Sequence, residues 1–111
     1  MDEARERMLE IYSTSENSND PLSWFEELYC SSRRDRRLIP WDWMEPHPFL
    51  VEWTEENQHT GRALVVGSGL GEDAAFLHDK GWKVTAFDVS ESAVEWASQL
   101  HKGKEIDWLV G

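Results

Sequence analysis

Apolar positions follow two different periods along this chain, and the change comes at Arg62. In residues 2–12, Ala4, Met8, Leu9, Ile11 and Tyr12 form a rough stripe at helical spacing, which predicts a first helix. Residues 13–19 are Ser, Thr, Asn and Glu and predict a polar loop. Asp20-Pro21 predicts a helix start, because Asp can accept from free amides and Pro loses nothing at the first helical position. Trp24, Phe25, Leu28 and Tyr29 then share one face and should bury. The run from Ser31 to Arg37 reads as a charged, solvated loop, with a grip on an anionic substrate as the alternative. Ile39-Pro40-Trp41-Asp42-Trp43 is too aromatic and too constrained to be an idle linker. A third helix begins at Pro46-His47-Pro48, carries Phe49, Leu50 and Trp53 on its apolar side, and runs to about Asn57. Residues 1–60 are thus expected to form a helical, aromatic-rich cap segment.

From Arg62 onward the pattern is that of an α/β fold. Ala63–Val66 is a continuous apolar run, as in strands buried on both faces. Residues 72–80 read as a helix closed by Gly81, and residues 83–87 as a second strand. Ser90 can cap a helix carrying Ala93, Val94 and Ala97, and residues 106–110 form a third strand. Right-handed crossovers then give a partial Rossmann-like, doubly wound parallel sheet of about three strands, in the order 3-2-1. Residues 61–111 are expected to be the first half of such a domain, preceded by the helical segment.

The charge supports this division. The chain has 111 residues and a net charge of -11, but 14 acids and 6 bases lie in residues 1–60, against 8 acids and 5 bases in the sheet-forming half. An acidic chain repels phosphate backbones, so no nucleic-acid partner is expected. Cys30 is the only cysteine, which rules out an internal disulfide and fits a reducing cytoplasm; it reads as a plain helix-end residue. No run approaches membrane-spanning length, no metal-ligand spacing is present, and no membrane partner is expected. Seven tryptophans read as packing residues, with an aromatic wall for a flat ligand as the alternative.

The candidate chemistry lies in Gly67-Ser68-Gly69-Leu70-Gly71, directly after the first strand. Glycines let a strand turn into a helix within a few residues and let a ligand approach the backbone. The amides opening the next helix favour a carboxylate or phosphate. Asp88, which closes the second strand, lies where a carboxylate can accept from ribose hydroxyls. A nicotinamide-dinucleotide fingerprint would have its third glycine where this chain has Glu72, an acid that repels a pyrophosphate but suits a ligand with a positive centre.

Gly67–Gly71 resembles the first motif of class I S-adenosyl-methionine-dependent methyltransferases, and Phe87-Asp88-Val89-Ser90-Glu91-Ser92-Ala93-Val94 resembles the second. The resemblance implies S-adenosyl-methionine as cofactor and a small-molecule methyl acceptor. It implies that Gly67, Ser68, Gly69 and Gly71 line the methionine and ribose end, that Asp88 holds the ribose, and that Val89 lies on the adenine. Residues 24–29, Ile39-Pro40-Trp41-Asp42, Pro46 and Leu50 resemble the entry region of thiopurine-methyltransferase-like enzymes, which makes Trp24 and Trp41 lid residues. Complete enzymes of this class have more strands, so the chain is expected to be a truncated portion, inactive alone. The first strand is then an open edge at which self-association is expected unless the front helices cover it. An oxidoreductase fragment and a non-catalytic interaction module are the alternatives.

Overall fold

A computed structural model describes residues 3–15, 23–42 and 44–111 of the chain. The Asp20-Pro21 helix start, Trp43 and the polar stretch 16–19 lie outside the described residues. The elements are α1 (Glu3–Ser15), α2 (Ser23–Ser31), a 3-10 turn (Arg36–Leu38), α3 (Pro48–Glu56), β1 (Arg62–Val66), α4 (Glu72–Asp79), β2 (Lys83–Asp88), α5 (Glu91–Leu100) and β3 (Ile106–Val110). One expectation for the front segment is corrected and a second holds in part. The first helix continues through Ser15 instead of ending ahead of a loop at Ser13. The basic run is exposed at Arg33, Arg34 and Arg37 as expected, but its end folds into the 3-10 turn, capped by the Asp35 carboxylate on the Arg37 amide, and Arg36 is half-buried there.

The sheet is parallel, in the order β1-β2-β3, which is the predicted 3-2-1 arrangement read from the other edge. Its covered face carries Ala63, Val65, Val84, Ala86, Ile106 and Trp108, packed against Ala74 and Leu77 of α4 and Leu50 of α3. The opposite face aligns Val66, Phe87 and Leu109, with Leu64 beside them on β1. Leu64 is 63% and Val66 68% exposed. The fully buried strand pattern expected for β1 is therefore realised on one face only.

A second core forms where the front helices meet α5. Leu28, Tyr29 and Ile39 pack on Leu70, Ala93 and Trp96, with Met8 and Ile11 of α1 behind them. The predicted stripe on α2 does bury, most deeply at Leu28 and Tyr29. Its polar neighbour Glu26 fastens the layers together. The Glu26 carboxylate accepts from the Ser90 hydroxyl at 3.0 Å, the Ser92 amide at 2.7 Å and the Ser92 hydroxyl at 2.5 Å. Burial pushes the Glu26 carboxyl up, but these bonds and one from the Glu91 amide outweigh it and hold the group below the usual range. A lowered folded-state value means stability that is present above the unfolded pKa and lost as pH falls through the folded one. We therefore expect acid unfolding below about pH 4.5 to include this joint. Glu26→Gln should flatten that limb of the stability-versus-pH curve and cost about 1–2 kcal/mol at neutral pH in a urea titration.

Candidate functional site

Between β1 and α4 the chain makes the expected glycine turn. The Ser68 amide donates to the Phe87 carbonyl at 2.9 Å, which ties the turn to β2. Gly71 takes a left-handed conformation as N-cap of α4 and offers no side-chain acceptor to the first helical amides. His47 and Ser90 do provide such an acceptor for α3 and α5. In front of the turn lies a cleft of about 330 Å³, lined by residues 67–73 on one side and by Tyr29, Trp41, Asp42, Glu45 and His47 on the other. Ser68 is one of the lining residues, and its hydroxyl oxygen is shut off from solvent and has no hydrogen-bond partner among the described residues.

Three contacts order the front segment around this cleft, two of them reaching α4. The Trp41 indole N–H donates to the Tyr29 hydroxyl at 2.8 Å, and that hydroxyl lies 3.1 Å from where a Cβ on Gly69 would be. Burial, together with the nearby Asp88 and Asp42 carboxylates, pushes the Tyr29 hydroxyl well above its ordinary value despite the Trp41 bond, so it stays protonated and neutral. Arg36 donates from Nε and Nη2 to both oxygens of Asp42, at 2.6 and 2.8 Å, and from Nη2 to Glu72 Oε1 at 2.8 Å. The hydrogen bonds with Asp42, joined by the one with Glu72, outweigh burial and raise the Arg36 guanidinium further above its already high value. The third contact runs from the His47 amide to the Asp73 carboxylate, at 2.8 Å.

Of the residues singled out in the sequence, Gly67, Ser68, Gly69, Gly71 and Trp41 meet at this cleft. Trp24 lies behind Trp41 in an aromatic cluster, with ring centroids 6.1 Å apart, and also contacts Tyr12 and Phe25. Asp88 and Val89 are not among the residues lining the cleft. The Asp88 side chain is turned inward: Oδ2 accepts from the Gly69 amide and Oδ1 from the Ser90 amide, each at 3.0 Å. Val89 is exposed beside it. Tyr29, read as core, is also a cleft residue. Arg36 and Glu72, read as loop and helix start, form one ion-pair network with Asp42. A signal for that pairing was present, since an acid at a helix start beside a glycine turn calls for a cation and four arginines lie in residues 33–37.

A parallel βαβαβ sheet with a glycine turn opening onto a ligand-sized cleft defines a Rossmann-like nucleotide-binding class. Within that class the sequence is specific. Residues 30–107 match the thiopurine S-methyltransferase family, and the chain belongs to it. No curated protein matches the chain significantly. Among solved structures, the chain is similar to one described for the conversion of a disulfide bond into a thioacetal group during echinomycin biosynthesis. That likeness has 32% identity and a TM-score of 0.61, and covers 65% of this chain and 30% of that one. A TehB-like SAM-dependent methyltransferase from Corynebacterium glutamicum shares the fold at 22% identity and TM-score 0.50, over 78% of this chain and 45% of that one. DhpI in complex with SAH does so at 15% identity and TM-score 0.50, over 98% and 45%. The chain therefore spans 30–45% of the length of these structures. Among the described residues, no helix is long and apolar enough to cross a membrane.

Proposed function

We infer that this chain is the S-adenosyl-methionine-binding portion of a class I methyltransferase acting on a small molecule. The observation that carries the reading is the cleft itself: a glycine turn, faced by Trp41 and Tyr29, whose buried serine hydroxyl has no partner among the described residues. Family membership and the DhpI–SAH likeness point the same way. The cofactor would supply an electrophilic methyl on a sulfonium centre. The chain's part is to bind, orient and keep water out. Gly67, Ser68, Gly69 and Gly71 would line the methionine and ribose end, while Trp41, backed by Trp24, closes the cleft from the front. Asp88 would meet the ribose with the second lone pairs of its oxygens, and Val89 would lie against the adenine. Residues 1–60 act as a cap over a cofactor half formed by residues 61–111. The acids at the cleft suit a ligand with a positive sulfur and ammonium.

The open edge of β1 and the apolar face behind it support self-association as a second property. Amide NMR of the labelled protein with S-adenosyl-homocysteine tests both. We expect shifts confined to residues 67–73, Asp88, Val89 and the Trp41 indole, and lines that broaden as protein concentration rises. A well-dispersed spectrum that ignores saturating ligand would contradict the cofactor reading.

A further inference from the structure

We propose that Arg36 is a positioning residue of this site: by holding the Glu72 carboxylate away from the glycine turn, it leaves the first amides of α4 open to the carboxylate of the ligand. The inference rests on the cofactor reading above and adds a determinant of how the amino-acid end of that ligand is recognised.

Glu72 is the first residue of α4 and lines the cleft. The first amides of a helix have no partner within the helix, and they attract negative charge. At α4 no side-chain cap occupies them, because the N-cap is Gly71. Asp73, the other acid of the first turn, is engaged by the His47 amide, so the carboxylates that compete for that helix end are Glu72, attached to it, and that of a methionine-like ligand. The tethered group would win by effective concentration unless something else holds it. The structure supplies that holder. Arg36 bridges Glu72 and Asp42, and the three side chains are only 19%, 24% and 7% exposed. Because its Nε and Nη2 both bond Asp42 of the front segment, the guanidinium cannot swing with Glu72. Asp42 adjoins Trp41, so one arginine sets the position of this part of the front segment and the charge at the mouth of the turn.

A purely structural ion pair and a positioning one differ in which ligand they affect. S-adenosyl-homocysteine carries the amino-acid carboxylate. Methylthioadenosine keeps the nucleoside and thioether but lacks that end. Calorimetric titration of both into wild type, Arg36→Gln, Glu72→Gln and the double variant separates the two roles. We expect Arg36→Gln to weaken S-adenosyl-homocysteine about tenfold, the scale of one charge-assisted hydrogen bond, and to change methylthioadenosine by less than about twofold. Adding Glu72→Gln should restore most of the loss, because the competing carboxylate is gone. Should Arg36→Gln not fold with Asp42 left unpaired, the same comparison is made on an Asp42→Asn background. Equal loss for both ligands, no loss, or no rescue by Glu72→Gln each overturns the proposal. Wild type that binds neither ligand overturns the cofactor reading and this inference with it, a result distinct from those three.

Discussion

Asp88→Ala should destabilise the protein by about 3–5 kcal/mol and abolish ligand binding, because the carboxylate serves the fold as well as the ribose. The sequence places Asp88 at the tip of β2 as a ribose holder, which alone would make it removable without harm to the fold. The structure gives it a second duty. The side chain is 7% exposed, and its two oxygens bind the Gly69 amide on the glycine turn and the Ser90 amide at the start of α5. The carboxylate thus ties the β1–α4 turn, which lines the cleft, to the β2–α5 turn beside it. Hydrogen bonds to a charged acceptor contribute about 1.5–3 kcal/mol each, and truncation to Ala strands both amides. For a domain of this size each kcal/mol moves the melting midpoint by about 4–8 °C, so thermal unfolding followed by circular dichroism reads the effect easily. Asp88→Asn keeps one acceptor but turns an amide N–H₂ toward the other donor, and should fall between the two. An unchanged midpoint in Asp88→Ala, with ligand binding lost, would show that the carboxylate serves the ligand alone.

That pair of bonds shows where the sequence is informative and where it is not. The α/β half is legible because its signals are local. Continuous apolar runs, glycine punctuation and the Ser90 cap place β1, α4, β2, α5 and β3 to within a residue or so of their observed bounds. The position of Asp88 follows from spacing, but its engagement with Gly69 does not, because that bond exists only once the turn has folded against β2. The front segment is less legible for the same reason. Arg36 lies in a run that looks solvated, yet its partners are Asp42 and, 36 residues away, Glu72. Glu26 looks like the polar face of an amphipathic helix, yet it accepts from Ser90 and Ser92, 64 and 66 residues on. Period and propensity report how a residue sits relative to its own element. They carry no information about a charged side chain whose partner belongs to another layer. The early end expected for α1 has a different cause. Ser and Thr carry weak preferences that a helix already packed on α2 overrides.

Two glycines of the turn should respond oppositely to the same added methyl group. Gly71 sits at φ +85°, where an L residue is strained, and a Cβ there would overlap the Trp108 ring while meeting His101 at 3.1 Å. Neither ring can yield cheaply. The two stack at an interplanar angle of 15°, and His101 Nε2 lies 2.9 Å from the Leu70 carbonyl of the same turn. Strain and overpacking each cost about 1–3 kcal/mol, so Gly71→Ala should lose about 3–5 kcal/mol and melt well below wild type. Gly67 sits at φ +66°, but nothing lies within 4 Å of its would-be Cβ, which projects into open space at a cleft-lining position. There only the backbone term applies, about 1–2 kcal/mol, so Gly67→Ala should remain folded. Its methyl would then stand where the ligand must lie close to the backbone, and S-adenosyl-homocysteine affinity should fall about tenfold or more in a folded protein. The pair separates a glycine required by packing from one required by the ligand. If Gly67→Ala binds S-adenosyl-homocysteine as wild type does, the ligand does not approach the turn at that residue. If Gly71→Ala melts with wild type, the turn is not seated on Trp108.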